Sequence, residues 1–491
     1  MSSPKWTNRY HLSGTLVTQS PLHIGTGTTV THPLVVDETH NRPAEINAVA
    51  TDFRNRAYLP ASSVKGVLRQ WAQQSGRSSM LSSLMGEQAS GAKVEFHDAF
   101  VDPATLPPLS EERFWRSERC TCVMPNVAID RVTRTAAHQR LQFHEFVPPG
   151  VAFAVSVTGQ DLTTEERDLL CSLFEAFNHP QNPARLGAAT ADGWGACRWA
   201  HPVLSIVEAP DVANWLTNQL NGHPAPWTTA LRKLPAVPAH GFVARPSHNL
   251  TIHVELDFHA NFAVNDPARV REKVPETPRM APLLEAKKDG RVTLPASSFR
   301  GALRSQAERI LHTIHHQLPL NRASDLPAAA SLASVTHPVN RLFGQPGWKS
   351  PLHIPDFTLR APAEEIRQEF LAIDRFQGGG VDRLKFNALS AWQPKFEGHI
   401  HLDLDRLSLV DADGTSLGLL LFLLRDLAEG DIRFGFGSAK GYGVCSARFQ
   451  LSCAHSPFPA VLKTGAGLSP SEIIDPQVAI PAFLKASGVS A

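Results

Sequence analysis

At 491 residues the chain is too long for one ordinary hydrophobic core, and domains of about 100–200 residues predict two or three of them. Its 47 Lys+Arg against 46 Asp+Glu leave a formal net charge of +1, which excludes a chain-wide positive field, so any polyanion site has to be local. The start of the sequence lacks the basic, apolar and small-residue regions of a secretion signal, and no apolar run is long enough to span a membrane, so a soluble cytoplasmic protein with no membrane partner is expected.

The first segment with strand character is Leu12 to Ile24, where apolar and polar residues alternate loosely. Leu59-Pro60-Ala61-Ser62-Ser63-Val64-Lys65-Gly66-Val67-Leu68-Arg69 follows, and it reads as a helix start. Ser62 or Ser63 is placed to cap the first N–H groups, while Val64, Val67, Leu68 and Trp71 share one face. An N-terminus with hydroxyls on it and Lys65 and Arg69 one turn along suits a phosphate. Cys120 and Cys122 are too isolated to make a zinc site, and the six cysteines show no disulfide spacing. Asp130-Arg131 then precedes an alternating stretch, Arg140 to Phe143, that reads as a hairpin with a basic root. Leu186-Gly187 to Gly195 is a glycine-rich turn before a strand, in which Gly193 and Gly195 would let backbone N–H groups approach a phosphate.

These motifs return in order. Ser63 and Ser298, Asp130 and Asp374, and Gly193 and Gly441 are equivalent positions, at offsets of 235, 244 and 248 residues, so the chain is read as a tandem duplication. The second copy opens with the clean alternation of Ile252, Val254, Leu256 and Phe258, and its helix start carries Ser297, Ser298, Arg300 and Arg304. Asp374-Arg375 precedes its hairpin, and Gly437, Lys440, Gly441 and Gly443 lie in its glycine loop. The expected division is 1–203, a linker with a short helix over 204–247, 248–455, and a tail over 456–491 that docks on a partner or stays mobile.

The Pro-Leu-His-Ile-Gly segment at Pro21–Gly25, the Leu-Pro-Ala-Ser-Ser helix starts, the Asp-Arg steps and the Gly-aromatic-Gly loops resemble the repeat-associated mysterious protein (RAMP) superfamily. Within it the likeness is to the backbone subunits of type III CRISPR effectors and covers about four-fifths of the chain in order. His337 to Gly344 adds a match read in the second copy only. The resemblance implies an α+β fold of two tandem ferredoxin-like, RRM-like domains with thumb β-hairpin insertions. It implies crRNA and complementary target RNA as partners, with other CRISPR effector subunits alongside, and RNA contacts at Ser62, Ser63, Lys65, Arg69, Arg131, Gly193, Gly195, Ser297, Ser298, Arg300, Arg304, Arg375, Gly437, Lys440, Gly441 and Gly443.

In that family a loop aspartate before the helix start promotes target cleavage with a divalent metal, Mg2+ or Mn2+. Here the corresponding register holds Thr31 in the first copy and Met280 in the second, which leaves Asp37 and Asp266 as the nearby carboxylates for a catalytic role. Zinc and organic cofactors are not expected, since the segment from His337 carries no cysteine. A free endoribonuclease that processes guide precursors and a purely structural assembly subunit are the competing readings.

Overall fold

The computed structural model describes residues 7–37, 42–74, 78–87, 90–106, 115–130, 136–179, 183–221, 223, 226–234, 248–264, 286–287, 291–315 and 328–487. The chain forms two compact units. Unit 1 comprises Met1–Asp130, Thr135–Thr190 and Trp194–Arg245, and unit 2 comprises Arg131–Arg134, Ala191–Gly193 and Pro246–Ala491.

The elements of unit 1 are β1 (Arg9–Thr18), β2 (Gly25–Asp37), β3 (Arg42–Val49), β4 (Tyr58–Leu59), α1 (Ala61–Gln74), α2 (Ser78–Met85), β5 (Val94–Phe96) and β6 (Ala99–Val101). They continue with β7 (Cys122–Ile129), β8 (Ala136–Phe146), β9 (Ala152–Gln160), α3 (Thr164–Phe174), β10 (Cys197–Val207), α4 (Ala209–Leu220) and β11 (Arg232–Lys233). The main sheet runs β11-β10-β1-β9-β6-β4, with β5 also on β9, and its pairings are antiparallel. A second sheet, β2-β3-β8-β7, projects two hairpins joined by the parallel pair β3–β8. Leu12 and Leu16 on β1 face a core that also takes Val64, Leu68 and Ala72 of α1, which is the face expected from the spacing.

Unit 2 contains β12 (Asn249–Phe258), β13 (Asn261–Phe262), β14 (Ala286–Lys287), β15 (Arg291–Leu294), α5 (Ala296–His315), α6 (Pro338–Phe343), β16 (Leu352–His353) and β17 (Phe357–Leu359). It ends with β18 (Glu364–Ile373), β19 (Gly380–Trp392), β20 (Lys395–Asp403), α7 (Leu404–Ser408), α8 (Ser416–Ala428), β21 (Cys445–Cys453), β22 (Gly465–Leu468), α9 (Pro470–Ile473) and α10 (Pro476–Ala486). Its main sheet runs β14-β15-β17-β20-β12-β21-β22, with β16 also on β20, and a smaller sheet β13-β19-β18 carries the hairpin. The alternation of β12 is complete, with Leu250, Ile252, Val254, Leu256 and Phe258 all buried. Phe299 from the first turn of α5 lies between Phe357, 4.4 Å away, and Phe434, 5.0 Å away, which ties the helix start to the root of the glycine loop.

The tail differs from the expectation of a mobile or partner-docking segment. Phe458, Leu462, Ile473, Ile474, Ala479 and Phe483 are buried in the core of unit 2, and Gly418 of α8 lies against Ala479 and Phe483 of α10. A Cβ at Gly418 would lie 2.4 Å from the Ala479 carbonyl oxygen, so the seat is cut for a helix without a side chain beneath it. Proline and alanine in this stretch mark a packed helix because the apolar residues among them recur at helical spacing.

The duplication reaches the level of single hydrogen bonds. Leu186 N–H donates to Gly195 O at 2.9 Å and Phe434 N–H to Gly443 O at 3.1 Å; Ala188 N–H donates to His23 O and Phe436 N–H to Ala263 O, both at 2.8 Å. The segment from His337 also has a counterpart that the sequence did not reveal. α2 and α6 both end in a left-handed glycine, Gly86 at φ +77° and Gly344 at φ +80°, and each is followed by a short bridge, Glu87 with Ser90 and Gln345 with Trp348. Leu84-Met85-Gly86-Glu87 is therefore the first copy's version of Leu342-Phe343-Gly344-Gln345. A match in the second copy alone is corrected to a match in both, hidden because the turn constrains only its glycine.

Candidate nucleic-acid interface

The helix starts are built differently from the expected phosphate seat. α1 begins at Ala61 and α5 at Ala296, so the serine pairs lie inside the first turn and do not cap it. The caps are carboxylates from a neighbouring strand end: Asp98 Oδ1 accepts from Ala61 N–H and Asp356 Oδ1 from Ala296 N–H, each at 2.8 Å. An anion held there by the protein competes with a phosphate for the same N–H groups. Ser62 and Ser297 are exposed and Ser63 and Ser298 half-buried, so their hydroxyls line the rim of the helix start.

The helix arginines point inward to carbonyl groups. Arg69 donates to Met85 O at 3.0 Å and Gly86 O at 2.5 Å. Arg300 donates to Leu352 O at 3.1 Å and Phe343 O at 2.5 Å, with its guanidinium 5.6 Å from the Phe343 ring. Arg304 donates to the buried Asn340 Oδ1 at 2.9 Å. Burial pushes the Arg300 guanidinium below its ordinary value, and burial with Arg69 nearby does the same to the Lys65 ammonium. These arginines fasten the α2 and α6 turns to their helices.

The glycine loops also have internal duties. Gly195 at φ +77° and Gly443 at φ +74° adopt backbone that side chains avoid, and a Cβ there would lie 1.9 Å from Leu186 O and 2.0 Å from Phe434 O. Their N–H groups donate to Pro21 O at 2.8 Å and Asn261 O at 2.9 Å. Gly193 (φ +84°) and Gly437 (φ +78°) are also left-handed, whereas Gly441 (φ +85°) is exposed with nothing within 4 Å of an added Cβ.

In unit 2 the loop and hairpin meet. Lys440 Nζ lies 4.5 Å from the Phe370 ring of β18 and 5.0 Å from Phe436, and Tyr442 Oη donates to Gln368 of the same strand. Asn261 donates to Gln368 Oε1 at 2.6 Å. Asp374 folds the hairpin tip by accepting from Phe376 N–H at 2.7 Å and Gln377 N–H at 2.8 Å, which hold its carboxyl below the usual range. Arg375 is exposed beside it, and Phe376 is 99% exposed with Ile373 at 65%. A cation and bare apolar side chains on a projecting two-stranded arm suit a polyanion with stackable faces.

In unit 1 the hairpin β7–β8 bears Asp130, and Arg131 lies outside the described residues, as does Asp266. Asp37 pairs by its backbone with Arg42 at the end of β2, and its side chain is outside the described set. The root of this hairpin is a buried ion pair: Glu145 accepts from Arg119 Nε at 2.6 Å and Nη2 at 2.8 Å, from Thr121 Oγ1 at 2.6 Å and from Val49 N–H at 2.9 Å. Burial would push the Glu145 carboxyl up, but these donors hold it below its ordinary range.

The fit of a divalent metal is poor among the described residues. The one set of three ligand groups close enough to share an ion is Asp426, Glu429 and Asp431, where Asp426 is engaged by Gln306 and Arg425. The described part of the first-copy loop offers hydroxyls, Thr26 and Thr28, 2.6 Å apart. Among the described residues no helix is long and apolar enough to cross a membrane.

The sequence model of the RAMP superfamily, a group associated with RNA binding and CRISPR effector complexes, matches residues 15–198 and again 278–446. No curated protein matches the chain. Two matches in tandem over more than half of the sequence, falling on two units that repeat each other's turns bond for bond, make this chain a member of the RAMP superfamily.

Proposed function

We propose that this protein is an RNA-binding backbone subunit of a type III, III-D-like, CRISPR RNA-guided effector, with two ferredoxin-like cores that hold the crRNA and present a complementary target RNA for antiviral defence. The observation that carries the reading is the junction of glycine loop and hairpin in unit 2, where Lys440 sits on Phe370 below an arm tipped by Arg375 and Phe376. Strand order supports the cores: β10-β1-β9-β6 and β21-β12-β20-β17 place the same four strands side by side in both units. Sequence selection then belongs to base pairing by the guide, with the protein holding backbone and shape. Other effector subunits are the expected neighbours. Target cleavage with Mg2+ or Mn2+ belongs to the same proposal, with Asp37 and Asp266 as its carboxylates.

The test is purification of the full chain with nucleic acid retained. A short RNA of defined length should copurify and be released by salt, with log affinity falling linearly against log salt. A preparation without nucleic-acid absorbance that binds no RNA strand at low salt refutes the proposal. For cleavage, a strand paired to the guide should be cut in an EDTA-sensitive way that Asp37→Ala with Asp266→Ala removes; persistence in that double variant refutes the assignment of the carboxylates.

A further inference from the structure

At the root of the β7–β8 hairpin in unit 1 two histidines, His23 and His144, meet edge to face with ring centroids 6.1 Å apart. Their neighbours fix opposite proton positions. His23 Nδ1 lies 2.6 Å from the Glu145 carbonyl oxygen, which can only accept, so Nδ1 carries a proton and, in the neutral ring, Nε2 is the atom with the lone pair. His144 Nδ1 lies 3.2 Å from Asn47 Nδ2, which can only donate, so Nδ1 accepts and the proton of His144 sits on Nε2. Burial, with His23 adjacent, holds the His144 ring below its ordinary value and so neutral at pH 7.

Gly25 keeps the acceptor uncovered. A Cβ at this exposed position would lie 2.7 Å from His23 Nε2, too close to coexist with a ligand there. The second copy supplies a comparison within the chain. Gly187 approaches His23 O as Gly435 approaches Ala263 O, and the bridge of Leu22 to Val147 matches the pairing of Phe262 with Ala391. The counterparts of His23 and His144 are thus Ala263 and Ala388, both buried, so both rings are present in one copy and both replaced in the other.

We infer that His23 and His144 form a subsite for a ribose 2′-hydroxyl, His23 Nε2 accepting its proton and His144 Nε2–H donating to its oxygen, so that the first copy distinguishes RNA from other polyanions. A 2′-hydroxyl is both donor and acceptor, so one sugar oxygen can meet a lone pair on one ring and an N–H on its neighbour. The subsite deepens the RNA-binding proposal and rests on it.

The experiment measures anisotropy of a labelled mixed-sequence single-stranded RNA and of the same strand made of 2′-fluoro nucleotides, which keep the sugar pucker but cannot donate. The full wild-type chain should bind the RNA about tenfold more tightly than the fluoro strand, the worth of two neutral hydrogen bonds. His23→Ala and His144→Ala, each leaving one of the two bonds, should lower that ratio to about threefold, and Gly25→Ala, which covers the acceptor, should bring it to within about twofold of unity, the two histidine variants leaving the fluoro strand's affinity unchanged. The three variants act through different atoms, so one that fails to fold leaves the other two informative. A ratio that stays at its wild-type value in the folded variants, or a loss of both strands in parallel, overturns the subsite while the RNA-binding proposal stands. Absence of RNA binding by the wild type overturns both.

Discussion

Replacing Glu145 by Gln tests the root of the first hairpin, because it removes one charge and leaves Arg119 buried opposite it. Glu145 is 0% exposed and receives four hydrogen bonds, two of them from Arg119, whose side chain is 9% exposed. Stranding one partner of a buried ion pair costs about 3–5 kcal/mol. In a unit of this size about 1 kcal/mol shifts the melting midpoint by about 2–4 °C, so unit 1 of the variant should melt about 6–20 °C lower. The pH dependence has a definite sign. The folded pKa of Glu145 lies below its unfolded value, so its contribution is complete above an unfolded pKa of about 4.3 and is lost as pH falls through the folded one. The advantage of wild type over the variant should therefore shrink only as pH falls below the unfolded value and through the folded one. The assay is tryptophan fluorescence against temperature over a pH series from 7 downward, with Trp194 and Trp199 as reporters in unit 1. Equal midpoints at pH 7 would refute the argument, as would an Arg119→Met, Glu145→Leu double variant no more stable than Glu145→Gln, since an apolar pair removes the stranded charge.

Three further outcomes follow from the repeated turns. Asp98→Ala and Asp356→Ala should each cost about 1–2 kcal/mol in chemical denaturation by uncapping α1 and α5, and Asn at either position should recover about half of it. Gly443→Ala should abolish soluble expression or lower the melting midpoint sharply, because its Cβ would meet Phe434 O at 2.0 Å, whereas Gly441→Ala, with open space around it, should cost only about 1–2 kcal/mol for its left-handed backbone. Lys440→Ala with Arg375→Ala should lower the slope of log affinity against log salt by about 2 for RNA, one unit for each phosphate no longer neutralised, and an unchanged slope would remove both from the interface.

Much of this architecture is legible in the sequence because it is written twice. The alternation of Ile252 to Phe258, the helical stripe from Val64 to Leu68 and the Gly-aromatic-Gly turns each carry a periodicity or a conformational demand that the order of residues exposes. The expected serine caps are replaced by carboxylates for a physical reason. A serine pair after proline resembles a cap, but the capping group comes from across the sheet: Asp98 and Asp356 share with each other only a carboxylate before a buried strand residue, and nothing local links them to Ala61 or Ala296. Likewise a basic residue one turn into a helix reads as a surface cation until its partners are known. Arg69 and Arg300 reach carbonyl groups released where α2 and α6 end in glycine, and that pairing spans 17 and 43 residues.

The histidine pair lies further from what one dimension can hold. His23 sits in the Pro-Leu-His-Ile-Gly segment, yet its partner is on β8 and the atoms that set the two tautomers belong to Asn47 and to the backbone of Glu145. Copying a domain preserves what the backbone needs, which is why Gly187 and Gly435, Gly195 and Gly443, and Gly86 and Gly344 all recur with the same φ sign. It does not preserve what only one copy uses. His23 against Ala263 and His144 against Ala388 differ between equivalent positions with the fold intact, and the proposed subsite therefore assigns to unit 1 the chemistry that would tell a ribose from a deoxyribose.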